Sequence, residues 1–261
     1  MRYVRLLALF ARTSLLAELE YRANFIAQAL VSLSFVVTTL LTTLVLYGHT
    51  DSIGGWGYDE ALLVSGIFVL VSGIIRTILR PNVTRLMEMV RDGTLDFTLL
   101  KPVNAQFMVS TRHIKSSGLT ELLAGVILVA VSISRLHYQP DIASLLTFGL
   151  MFAIALAIVY SIWIAMATTS FWFVKVGNLT ELFSALFDTG RLPITAFRGA
   201  IRVGLTFLIP VAFITTFPAQ AVLRTLEPVM MLVGFCLACA ALIASGLFWR
   251  YAIRSYSSAS S

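Results

Sequence analysis

Few side chains in this sequence stand where they could do chemistry. Cys236 and Cys239 form a C-x-x-C. A dithiol at that spacing cycles with a disulfide when a nearby cation or helix N-terminus holds one sulfur as thiolate. Here the pair lies in the apolar run Phe235–Leu242 with no charged neighbour, so it reads as two small packing residues on one helix face. His49, His113 and His137 fall in or near different loops and lack the spacing of a metal-ligand set. Glu121 opens an apolar run, where a carboxylate reaches for the interface or pairs with a cation such as Lys115. No Ser-His-Asp set and no carboxylate pair can be assembled. No G-x-x-x-x-G-K-[ST] occurs either, so the chain has no P-loop and is not expected to act as an enzyme or to hold a cofactor itself.

The elements around these residues are built for hydrocarbon. The chain has 261 residues, 58% of them hydrophobic and 12% charged, with a mean hydropathy of +0.89. Globular chains are about 45–50% apolar and about 25% charged. Several runs reach the ~18–20 apolar residues that cross a bilayer as helix, and the short alternating segments of a barrel are absent. The expected fold is therefore all-α, a polytopic membrane protein with six transmembrane helices in one domain, residues 1–261. Residues 1–23 read as a cytoplasmic interfacial helix, because the apolar core Leu6–Ala11 is short for a signal peptide and no cleavage site follows. The spans are expected at 24–47, 60–79, 117–134, 142–172, 199–219 and 228–249. Trp56 and Tyr58 suit a headgroup-level anchor before the second span. Segments 80–116 and 173–200 read as cytoplasmic, the latter with an interfacial helix at Asn178–Phe187. That helix is the alternative to the fifth span, since it could dip into the membrane instead.

Lys and Arg support the arrangement. Four precede the first span, seven lie between the second and third, four between the fourth and fifth, and two follow the sixth. That places 17 of the 19 on one side, with Arg135 and Arg224 outside. Cytoplasmic loops carry such an excess, so both termini are expected inside. The net charge of +6 then reflects topology, and nucleic acid is not implied as a partner. Apart from Glu121 the spans carry no central ionisable residue, which argues against an ion-coupled carrier or channel. Gly149, Ala153, Ala157, Ser161, Ala165 and Thr169 recur every four residues, a small-xxx-small stripe suited to close helix packing.

The longest charged insertion is Pro81–Pro102, PNVTRLMEMVRDGTLDFTLLKP. Pro81 suits a first helical position. Val83, Leu86, Met87 and Val90 share one helical face, and Gly93 is placed to stop the helix. Within it, Arg91-Asp92-Gly93-Thr94-Leu95-Asp96 and Leu99-Leu100-Lys101-Pro102-Val103 resemble a signature of ABC transporter permeases, in the type-2 (export-type) membrane-subunit family. Gly55-Trp56, Arg191-Leu192-Pro193 and Ile209-Pro210-Val211-Ala212-Phe213 extend the resemblance, although Leu192 stands where an aromatic is expected.

The resemblance implies a membrane subunit paired with a second permease chain, the same or related, and with two P-loop ATPase subunits that bind the ATP and Mg. It places the protein in a prokaryotic-type plasma (inner) membrane, among membrane lipid. It also implies a cytoplasmic coupling helix between the second and third spans, seated in a groove of the ATPase. The residues assigned to that contact are Arg85, Leu86, Met87, Glu88, Val90, Arg91, Asp92, Gly93, Leu95, Asp96, Lys101 and Pro102. Val83, Leu86, Met87 and Val90 would fill the groove, and Arg85, Glu88, Arg91 and Asp92 would rim it. Gly93 would turn the chain and Asp96 would cap the next short helix. The competing reading of this helix lays its apolar face in lipid. For the whole chain the alternatives are an ATP-independent carrier or channel, or a non-transporting assembly factor.

Overall fold

In hydrocarbon each backbone N–H and C=O must find a partner within the protein, which favours helix for every apolar run. The computed structural model describes residues 2–19, 22–136, 140–173 and 177–256, and these are helical apart from short connections and one isolated bridge, Ile53–Trp56. His137 and Lys175 lie outside the described residues.

Helix α1 (Arg2–Leu19) precedes α2 (Arg22–Tyr47). It rests across one end of the bundle, with Tyr3 edge-on to Phe107 at 4.8 Å and the Ser14 hydroxyl accepting the Ile114 N–H at 3.3 Å. Val4 and Leu16 remain exposed. Next come α3 (Tyr58–Ile74), a π turn at Ile75–Leu79, and α4 (Arg80–Arg91). Together these make one 34-residue helix from Tyr58 to Arg91. Pro81 therefore does not begin a helix. It lacks the N–H that the Thr77 carbonyl would receive four residues on, and that carbonyl accepts the Lys115 N–H at 2.9 Å.

Helix α5 (Asp96–Leu99) and helix α6 (Ala105–Thr111) fold back under α4. Helix α7 (Leu119–Arg135) then returns along α3. The two approach closely because glycines alternate across the seam. Gly66 lies against Leu128, Gly125 against Leu70, Gly73 against Leu122 and Gly118 against Thr77. A Cβ on Gly125 would fall 2.5 Å from the Leu70 backbone, and one on Gly73 would fall 2.6 Å from the Leu122 nitrogen. The sequence pointed instead to the stripe on α8 (Ile142–Thr168). There Gly149 and Ala153 are exposed, Ala157 and Ala165 are partly covered, and only Ser161 is buried. Trp56 also differs from expectation, being 6% exposed and part of the core rather than an interfacial anchor.

The largest correction concerns residues 177–222. Helix α9 (Gly177–Phe187) and the turn Asp188–Arg191 do not lie along the end of the bundle. They climb α3. Glu181 meets Arg80 at 2.6 Å, Phe187 stacks on Phe68 at 5.0 Å, and the Ser65 hydroxyl donates to the Arg191 carbonyl at 3.3 Å. Thr195 then packs on Gly54, whose φ of +61° no side chain would favour. The chain has crossed to the opposite end by that point. Helix α10 (Gly199–Val203), with its π turn Gly204–Leu208, joins α11 (Val211–Ile214) and α12 (Thr216–Val222) through a 60° bend. This pair starts beside Thr195 and ends where Arg224 meets Asp141 at 3.0 Å, ahead of α8. Both points lie at the Tyr58 end, so 199–222 re-enters the bundle instead of forming the expected fifth span. Arg191, Arg198 and Arg202 accordingly leave the basic end. Helix α13 (Pro228–Ser255) runs back along α8, and Phe171 of the α8 end touches Trp249 and Tyr256.

Gly125→Ala is expected to lower the melting temperature of the detergent-solubilised chain, at a cost of about 1–3 kcal/mol for overpacking. Gly149→Ala, whose Cβ meets nothing within 4 Å, is expected to leave it unchanged. Equal melting of the two variants would show that the glycine seam is not tightly closed.

Candidate functional site

The region that gathers most of the distinctive residues is the far end of α3–α4. A 34-residue helix is about 51 Å long, against a hydrocarbon core of about 30 Å. It is therefore roughly 20 Å longer than a straight crossing needs. Two devices brace its Arg91 end. Asn82, 1% exposed, donates through Nδ2 to the carbonyls of Ile78 (2.6 Å) and His113 (2.7 Å), and its Oδ1 accepts the His113 N–H (2.9 Å). Tyr160 of α8 receives a hydrogen bond from Gln106 at 3.1 Å and shares another with Ser110 at 3.2 Å.

The apolar face offered by the sequence to a partner is used inside the chain. Val83 and Leu86 are 5% and 1% exposed, packed beside Val109 and Trp163. Met87 and Val90 are half-buried against the same core. Leu95 is fully buried. Helix α4 then ends with Gly93 at φ +68°, the Thr94 N–H bonding the Met89 carbonyl at 2.9 Å and the Gly93 N–H bonding Val90 at 3.4 Å. This is a Schellman stop. Asp96 is not the cap of α5, because Leu95 holds that position and Asp96 sits in the first turn, where its charge suits the helix dipole.

What the turn presents outward is Phe97, 72% exposed, and Leu100, 82% exposed. Arg91, Asp92, Lys101 and Pro102, close to them along the chain, are also exposed. Phe97 was not singled out by the sequence pattern, though its i, i+3 spacing from Leu100 was available. Arg85 and Glu88 pair with each other at 2.8 Å and line a separate cavity, so they do not rim this patch.

Two charges lie deeper than the sequence suggested. Glu121 is fully buried and ion-paired with Arg76 rather than with Lys115. Arg191 stands within the bundle, its guanidinium 5.1 Å from the Phe35 ring centroid and 5.4 Å from that of Phe68, with Asp188 at 3.4 Å. Stacking on aromatic faces is one way a cation is tolerated there. Among the described residues, each is held by an opposite charge, Arg76 for Glu121 and Asp188 for Arg191.

A family model described as ABC-2 family transporter protein matches residues 33–260. No curated protein and no solved structure matches the chain.

Breaking the buried pair by Arg76→Leu should cost about 3 kcal/mol, since an unpaired buried carboxylate remains. The double variant R76L/E121L should recover most of that loss in thermal melting. A double variant as unstable as R76L would count against the pairing.

Proposed function

Because the chain belongs to the ABC-2 family of transporter proteins, we propose that it is the membrane subunit of an ATP-driven exporter and that the α5 tip docks a separate P-loop ATPase. The observation that carries this reading is the pair Phe97 and Leu100, 72% and 82% exposed on the short helix that follows α4. Apolar anchors ringed by polar side chains are the usual centre and rim of a protein interface. The charges close to them along the chain, Arg91, Asp92 and Lys101, supply that rim. Val83, Leu86 and Leu95 serve the contact from behind, by holding the tip in place.

In this reading two ATPase subunits bind the ATP and Mg, and a second permease chain, identical or related, completes the pathway. The basic end faces the cytoplasm of a prokaryotic-type plasma membrane, with both termini on that side. Arg76, Arg80, Arg85, Arg91, Arg112, Lys115, Arg250 and Arg254 gather there, which agrees with the bias of cytoplasmic loops. ATP-driven closure of the two ATPases moves the tips, and the stiff α3–α4 helix carries that motion into the bundle. Export of an amphipathic or apolar cargo fits the mostly uncharged spans.

The double variant F97D/L100D should fold normally and lose the ATPase. Each buried anchor is worth about 2 kcal/mol or more, so retention of the ATPase on tagged permease should fall at least about tenfold. L86D should instead lower the yield of folded protein, because Leu86 is core. Undiminished ATPase co-purification with folded F97D/L100D would refute docking at this tip.

A further inference from the structure

A cavity of about 450 Å³ opens between α2, α4 and the segment leading into α7. Its walls carry Arg76, Arg80, Arg85 and Lys115, with Glu88 as the carboxylate among the lining residues described. These cations are not equally engaged. Arg76 is held by buried Glu121, and Arg80 reaches Glu181 in an exposed pair. Among the described residues Arg85 has only its i+3 neighbour Glu88 as an ion-pair partner, and Lys115 is exposed with none. Positive charge is therefore left over in the chamber. His113 on the same wall senses it: burial, then the charges of Arg112, Arg85 and Lys115, hold its imidazole below the usual range despite the opposing Glu88.

The chamber also has an apolar approach. Val31 of α2 lines it and is 59% exposed on a membrane-spanning helix. Ser32, one residue on, closes the floor by donating to the Ser117 carbonyl at 2.6 Å. A ligand arriving here comes alongside α2, at the level where the α3 span passes into its basic extension. Guanidinium forks and ammonium groups at that depth match phosphate oxygens, and basic pockets between spans suit anionic headgroups.

We propose that this chamber binds the phosphate-bearing headgroup of an anionic membrane lipid, with Arg85 and Lys115 as direct ligands and Arg80 at the rim. A headgroup there bridges α4 to the 113–117 segment by charge, adding to the backbone link that Lys115 already makes with Thr77. The site lies apart from Phe97 and Leu100, and it stands or falls independently of ATPase docking.

The test uses the full chain in neutral detergent, titrated with dioctanoyl phosphatidylglycerol, phosphate-free dioctanoylglycerol, or inorganic phosphate. Binding is read by native mass spectrometry and thermal shift. One phosphatidylglycerol should bind per chain, with no counterpart for dioctanoylglycerol, and R85Q/K115Q should weaken it at least tenfold (about 1.4 kcal/mol). Arg85 and Lys115 are exposed, so the variant should keep its gel-filtration profile. R85K/K115R should retain most of the binding, and E88Q, which removes the carboxylate from the chamber, should tighten it. Binding of inorganic phosphate with no gain from the lipid would overturn the lipid assignment. Equal lipid binding by wild type and R85Q/K115Q would overturn the site.

Discussion

An unpaired carbonyl is costly inside a membrane, and Pro81 withholds a partner from Thr77. The answer is to take the N–H of Lys115 from across the chain. That single substitution of partners decides much else. It lets α3 run on through a π turn as α4, so the membrane span and its projection are one stiff rod. It also fixes the 113–117 segment against that rod, with Asn82 repeating the clamp one residue later. Helix α7 therefore starts in register, and the glycines at 66, 73, 118 and 125 meet the residues they must admit. A helix-breaking residue has become the point where two spans are aligned.

The limits of the sequence follow from the same physics. Hydropathy finds runs that tolerate lipid, and the spans α2, α3, α7, α8 and α13 were legible for that reason. It does not separate a run apolar through facing lipid from one apolar through being buried in protein. Residues 211–223 are almost wholly buried, Ala212, Phe213 and Ile214 to 0%, and so looked like a crossing. The segment that climbs α3 is shorter and carries Asp188 and Arg191, which disguised it. Amphipathicity had a similar fault at α4. It located the apolar face at Val83 and Leu86 correctly but said nothing of what covers it, and α6 and α8 do so. The seam of glycines escaped notice because its spacing is seven, while the conspicuous four-residue stripe on α8 begins on the outside. Gly66 to Gly73 and Gly118 to Gly125 were the signal.

Consequences for the mechanics come from which elements the rod touches. Within the chain, α3 packs chiefly on α7, and α8 chiefly on α13 and α12. The α3–α4 rod joins these groups: its membrane half holds the glycine seam, and its projecting half rests on α8 near Tyr160 and Trp163. Stiffness matters here because a flexible linker at Pro81 would absorb any displacement of the tip locally. With the helix unbroken, tilting the tip tilts the seam as well. A lever of this kind transmits force only where its side contacts hold. On the projecting half they include the Asn82 clamp, the packing of Val83 and Leu86, and the Arg80–Glu181 pair, while the Tyr160 hydrogen bonds hold α6 to α8 beside it.

The buried ion pair bears on that lever directly. Arg76 sits inside the π turn and Glu121 in the first turn of α7, so the pair ties the two spans where the rod leaves the seam. A carboxylate that could ionise freely there would draw water into the seam, and one held by a guanidinium does not. Arg76 also forms a wall of the basic chamber. The same residue is thus turned toward Glu121 on one side and toward the chamber on the other. An anion in the chamber would compete with Glu121 for it unless other cations met the anion first. Arg85 and Lys115 are placed to do that, which leaves Arg76 with its buried partner while the chamber is filled.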